Sequence, residues 1–145
     1  MKIYLACTVR GDRSAVAGLR TIVESLESKG HTVLTKHLLD DDVDAAESTL
    51  SEREVYERDI KWLESCDVLI AEASGSSFGV GFEVGYVLGR SERTDQRVAL
   101  LYREDRKPQI SRLIVGNAHP RCTHVCYADP AELGSRILQA LSSAP

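Results

Sequence analysis

The chain has 145 residues, 43% of them hydrophobic and 28% charged, with a formal net charge of −4. That size suits one domain with a real core, and the mild acidity removes any generic attraction to nucleic acid polymers or anionic membranes. No apolar run approaches the roughly 18–20 residues that span a bilayer, and the apolar stretch after Met1 and Lys2 is too short for a signal peptide, so a cytoplasmic protein is expected.

Strand-like and helix-like segments alternate along the chain. Residues 2–6 read as the first strand, followed by a polar loop at Arg10, Gly11, Asp12 and Arg13. Val16, Leu19, Ile22, Val23 and Leu26 form a helical stripe over 14–29 that stops at Gly30. Residues 31–35 read as the second strand. Residues 38–50, with Asp40, Asp41, Asp42 and Asp44, read as a mobile acidic surface loop able to act as a lid. Ser51 and Glu54 form a capping box that opens a helix to Ser65. Residues 67–71 read as the third strand, continuously apolar after Asp67, as a central parallel strand should be. A helix over 79–90 follows, then a strand at 97–102, a short helix at 109–116, a strand at 123–127 and a closing helix at 130–142. This order predicts a single domain, 1–145: a flavodoxin-like, doubly wound, five-stranded parallel sheet with helices on both faces. Ligands in such sheets sit beyond the C-terminal strand ends, at the switch point.

The loops after the first three strands therefore hold the candidate site. The turn Ser74-Gly75-Ser76-Ser77 opens a helix, and free N–H groups beside serine hydroxyls can hold an anion; the same pattern serves equally as an N-cap. Glu83 lies in a helix apolar nearly all round, with Gly81, Gly85 and Gly89 four apart, which predicts a buried helix approached closely by another backbone. A buried carboxylate there is costly and needs a purpose, either a core ion pair or chemistry. Near the positive end of its helix Glu83 is expected to stay ionised, which suits a nucleophile. Asp59 falls in the stripe of Val55, Tyr56 and Leu63, a single charge on an apolar face. Two inward carboxylates at one end of a sheet are what glycosidic cleavage requires. Arg10 can reach a phosphate or pair with a surface Asp, and His37 can face a base or simply pack. Cys122, His124 and Cys126 alternate on one face of a strand, but lack a second ligand pair, so strand packing is expected rather than a metal.

Three segments together, Tyr4-x-x-x-Thr8-Val9-Arg10-Gly11, Glu57-Arg58-Asp59-Ile60-Lys61-Trp62-Leu63 and Ser77-Phe78-Gly79-Val80-Gly81-Phe82-Glu83, resemble 2′-deoxynucleoside 5′-monophosphate N-hydrolases of the nucleoside 2-deoxyribosyltransferase superfamily. The resemblance covers nearly the whole chain. It implies Glu83 as nucleophile forming a glycosyl ester, Asp59 as acid/base, and Tyr4 as the residue positioning Glu83. Cys7, Thr8, Val9, Arg10, Gly11, Arg13, Ser77 and Gly79 would surround sugar and 5′-phosphate, with His37 near the base and no metal or cofactor. It further implies a homodimer in which Ser111 completes the neighbour's phosphate site. A covalent route implies retention, with carboxyl groups roughly 5–5.5 Å apart. The family's hydrolases usually carry Gly-Ser where this chain has Cys7-Thr8, which leaves deoxyribo- and ribonucleotides such as CMP both open. Transfer to another base is the second reading; transferases of the superfamily use C-terminal residues near the sugar, and Ser142-Ser143-Ala144-Pro145 matches that poorly. A nucleotide-sensing module on the same fold is the third, and predicts binding without turnover.

Overall fold

A computed structural model describes residues 1–143; Ala144 and Pro145, part of the C-terminal comparison above, lie outside the described residues. The strands are β1 (Lys2–Ala6), β2 (Thr32–Val33), β3 (Val68–Glu72), β4 (Arg97–Arg103) and β5 (Cys122–Tyr127). They form one all-parallel sheet in the order β2-β1-β3-β4-β5. The order reverses between β1 and β3, which is where a crevice opens at the C-terminal strand ends.

Side-chain alternation divides the core between the two faces. Ile3 and Leu5 of β1 pack with Leu19, Ile22 and Leu26 of α1 (Val16–Ser28) and Ile137 of α6 (Leu133–Ser142). Tyr4 and Ala6 point the other way, into a cluster with Leu63 of α3 (Glu52–Ser65) and Val84 and Val87 of α4 (Phe78–Arg90). The expected fold is therefore the one found. The Ser51–Glu54 capping box also forms: Ser51 N–H donates to Glu54 Oε2 at 2.8 Å, and Glu54 N–H to Ser51 Oγ at 3.3 Å.

Three local expectations are corrected. The second strand is two residues long rather than five, because a side chain takes over its ladder. Thr35 Oγ1 accepts from Leu5 N–H at 2.8 Å and donates to Leu5 C=O at 2.7 Å, using the two groups a longer β2 would have paired. Thr35 is 1% exposed, so Thr35→Val leaves both Leu5 groups buried and unpaired. A loss of about 2–4 kcal/mol is expected, read as a lower denaturation midpoint in urea with an unchanged slope.

The second correction concerns 38–50, which is not a free loop. A 3-10 turn (Lys36–Leu39) and α2 (Val43–Glu47) bury Leu38, Leu39 and Val43 in the α1-side core. Arg13 donates to the carbonyls of Leu38 and Asp40 at 3.0 and 3.1 Å, and Arg20 to that of Leu39 at 2.7 Å. Third, α4 is not buried all round. Its inner face carries Val80, Val84, Val87 and Leu88, while Phe78, Phe82, Gly85 and Gly89 look outward. Apart from the neighbouring residues and backbone of α4 itself, no atom of the described residues lies within 4 Å of where a side chain at Gly81, Gly85 or Gly89 would begin.

Candidate active site

Three elements converge at the switch point. β1 delivers Tyr4 from its inner face, α3 delivers Asp59 one turn after Val55, and α4 delivers Glu83. All three line one cleft of about 560 Å³, whose walls include Cys7, Val9 and Arg10 from the first loop, Ser77 and Gly79 from the start of α4, and Glu47 from α2.

Tyr4 is fully buried, and its hydroxyl donates to Glu83 Oε1 at 2.6 Å. Burial, then the Glu83 and Asp59 charges, push the phenol far above its usual range, so it remains a donor. Glu83 is the sixth residue of α4, in its second turn, and burial there outweighs the helix end. Desolvation lifts its carboxyl from 4.5 to about 7, with Asp59 adding to the rise and the Tyr4 hydrogen bond opposing it. The expectation of a carboxylate held firmly ionised by the helix dipole is thus corrected: Glu83 titrates near neutrality.

Asp59 is also shifted upward, chiefly by burial, against the pull of Arg58. Arg58 Nε donates to Asp59 Oδ1 at 2.9 Å, and its other edge grips Glu47 at 2.7 and 3.2 Å. The Arg58 guanidinium lies 4.9 Å from the centroid of Trp62, and the His37 ring 5.4 Å from it. His37 therefore stands behind Glu47 and Trp62 rather than among the cleft-lining residues, its Nε2 buried and 3.5 Å from Glu47 Oε1 without a hydrogen bond.

The remaining expected residues divide clearly. Ser77 caps α4, its Oγ 3.5 Å from Val80 N–H, so the N-cap reading of that turn is the one observed, and the cap is made at the cleft wall. Arg10 lines the cleft but is paired with Asp44 of α2 at 2.8 Å, both largely exposed, which is the surface pairing that was the competing reading. Arg13 and Gly11 are not among the lining residues: Arg13 spends its guanidinium on the carbonyls of Thr8, Leu38 and Asp40. Thr8 is buried behind the wall, its Oγ1 without a hydrogen-bond partner. It fits only because residue 75 is glycine, where a Cβ would lie 2.2 Å from Thr8 Oγ1. Burial raises the thiol of Cys7 to about 11, so it serves the wall as an apolar group. Ser111 lies across α4 from the cleft, in an apolar hollow of about 400 Å³ with Phe78, Phe82 and Leu113.

Glu47 at the cleft wall, and Arg58 and Gly75 behind it, are positions to which the sequence reading gave no role. Glu47 was hidden in an acidic run, and only the apolar spacing of Leu38, Leu39 and Val43 could have shown that the run folds inward. Cys122 and Cys126 are free thiols, and His124 is 2.7 Å from the Asn117 carbonyl; among the described residues no group of three His, Cys, Asp or Glu side chains is placed to hold a metal ion. Among the described residues no helix is long and apolar enough to cross a membrane.

Residues 3–129 match the family model described as nucleoside 2-deoxyribosyltransferase. The chain belongs to the nucleoside 2-deoxyribosyltransferase family. One relative in that family, from Thermofilum pendens, is 46% identical over 132 residues, covering 91% of this chain and 89% of its own; it bears the name 2′-deoxynucleoside 5′-phosphate N-hydrolase 1 as a provisional assignment. Another, from Danio rerio, is named 5-hydroxymethyl-dUMP N-hydrolase and is 35% identical over 117 residues, covering 80% of this chain and 78% of its own. The CMP N-glycosidase BcmB of Clostridium botulinum shares the fold, with a TM-score of 0.68, 19% identity and 98% of each chain covered. The family's resemblance in motif, seen first in three short segments, thus extends to the whole domain and its topology.

Proposed function

We propose that this chain is an enzyme that hydrolyses the N-glycosidic bond of nucleoside 5′-monophosphates, releasing free base and (deoxy)ribose 5-phosphate. The observation that carries the reading is the pair of carboxylates in one cleft, Glu83 held by a phenol and Asp59 by a guanidinium. Glu83, ionised, attacks the anomeric carbon with the oxygen that Tyr4 leaves free, and the bond to the base breaks as Asp59 gives its proton to the base. Asp59 then takes a proton from water, the water oxygen attacks the same carbon, and the ester to Glu83 opens. Two displacements retain the anomeric configuration. Ser77, the free N–H groups at the start of α4 and Arg10, released from Asp44, would take the phosphate. The family membership and the names of the relatives support the same reaction.

The test is to incubate the protein with nucleosides and 5′-monophosphates, ribo and deoxy, CMP included, and to follow free base by chromatography. Base release from at least one monophosphate and not from its nucleoside is expected. No release from any monophosphate would overturn the reading, and exchange of the base for an added one would replace hydrolysis with transfer.

The outward side of α4 supports a homodimer. Phe78 is 99% exposed and Phe82 53%, and with Gly85 and Gly89 they form a stripe at helical spacing on α4; Leu113, 84% exposed on the neighbouring short helix, extends the apolar patch that a second copy would cover. Ser111, in the same patch, would then face the partner's cleft. Phe78→Glu is expected to convert a dimer into a monomer in sedimentation, and Ser111→Ala to raise KM for monophosphates about tenfold by removing a hydrogen bond to a charged group.

A further inference from the structure

The network behind Asp59 contains a charge that the proposed reaction leaves unused. Arg58 presents two edges. One is committed to Glu47 through both terminal nitrogens, at 2.7 and 3.2 Å. The other places Nε and one terminal nitrogen at 2.9 and 2.8 Å from Asp59, and both contacts fall on Oδ1. The plane of the guanidinium is fixed from below by Trp62. An arginine left alone with an aspartate holds it as an anion, which an acid catalyst cannot afford. Here the same cation is shared with a second carboxylate, arriving on a different element.

We propose that Glu47 is a positioning residue: by sharing Arg58 it keeps Asp59 oriented yet able to hold a proton, and it does so only while α2 is folded against α3. The assignment of Asp59 as acid/base rests on the function proposed above. The groups facing Asp59 from each element are Arg58 on its own helix, Glu47 on α2, His37 on the preceding 3-10 turn, Glu83 on α4 and Tyr4 on β1. Burial raises the Asp59 carboxyl, Arg58 and His37 lower it, and Glu47 raises it. Glu47→Gln keeps the size and one acceptor oxygen but removes the charge, so Arg58 falls wholly to Asp59, which then gives up its proton at lower pH. Arg58→Gln has the opposite sign.

The experiment is a carbon-13 NMR titration of the Asp59 carboxyl, assigned by its absence in Asp59→Asn, alongside the pH dependence of kcat. In Glu47→Gln the Asp59 midpoint and the alkaline limb of kcat should both move down by about half a unit to one unit, and in Arg58→Gln both should move up by a similar amount. An Asp59 midpoint that stays in place in Glu47→Gln overturns the proposal, as does a kcat limb that fails to follow it. A merely structural role would lower kcat without moving either. If the wild type releases no base, the catalytic reading fails on that result, while the NMR midpoints still decide whether Glu47 governs Asp59.

Discussion

Glu83→Gln is expected to abolish base release, by at least about a thousandfold, while making the protein more stable at pH 8. The first half follows from removing the atom that forms the glycosyl bond. The second follows from where that atom sits. The folded carboxyl titrates near 7, above its ordinary 4.5. A raised carboxyl contributes its stability in full below pH 4.5, and that contribution is lost as pH rises through about 7, up to about 3 kcal/mol. Glutamine cannot ionise, and its amide oxygen can still accept from Tyr4. A gain of about 1–3 kcal/mol at pH 8, or about 3–9 °C in Tm, is expected, shrinking to nothing at pH 4.5. Thermal melts of the two proteins at both pH values check it. Equal melting temperatures at pH 8 would mean that Glu83 is not held against its solvation.

The second large effect separates the two carboxylates by role. Asp59→Asn is expected to lower base release by about 100- to 10,000-fold, because the base must leave without a proton. With a nitrophenyl group in place of the base, a leaving group that needs no protonation, the loss should shrink to less than about tenfold in the first step. Glu83→Gln should be equally inactive on both substrates. A burst of nitrophenolate from Asp59→Asn, followed by slow turnover, is the expected signature of a glycosyl ester that forms normally and hydrolyses slowly. Identical losses on both substrates would remove the acid role from Asp59.

What could be read in the sequence was whatever depended on local pattern. The stripe from Val16 to Leu26, the Ser51–Glu54 cap and the continuous apolar run of β3 specified their elements, and the alternation in β1 put Tyr4 on the face opposite Ile3 and Leu5. Glu83 and Asp59 were visible as charges at positions that spacing made internal. What could not be read depended on a second segment arriving. Thr35 ends β2 early because its hydroxyl happens to reach Leu5. The acidic run around Asp42 folds because Arg13 and Arg20 satisfy its carbonyls, and neither arginine announces this in its own neighbourhood. The ionisation of Glu83 follows the same rule: the helix end is local, whereas the burial that overrides it depends on the rest of the fold, Tyr4 of β1 included. The outward face of α4 read as core because an apolar surface awaiting a second chain has the same composition as one covered by its own.

Arg13 ties the carbonyl of Thr8, on the loop after β1, to those of Leu38 and Asp40, on the segment after β2. Cys7 and Val9 of the first segment and Leu38 of the second line the cleft, so one guanidinium outside the lining sets the distance between these two walls. Girth of the accepted molecule becomes a property separate from the groups that touch it. A search for what tunes selectivity should begin at the brace as well as at the walls.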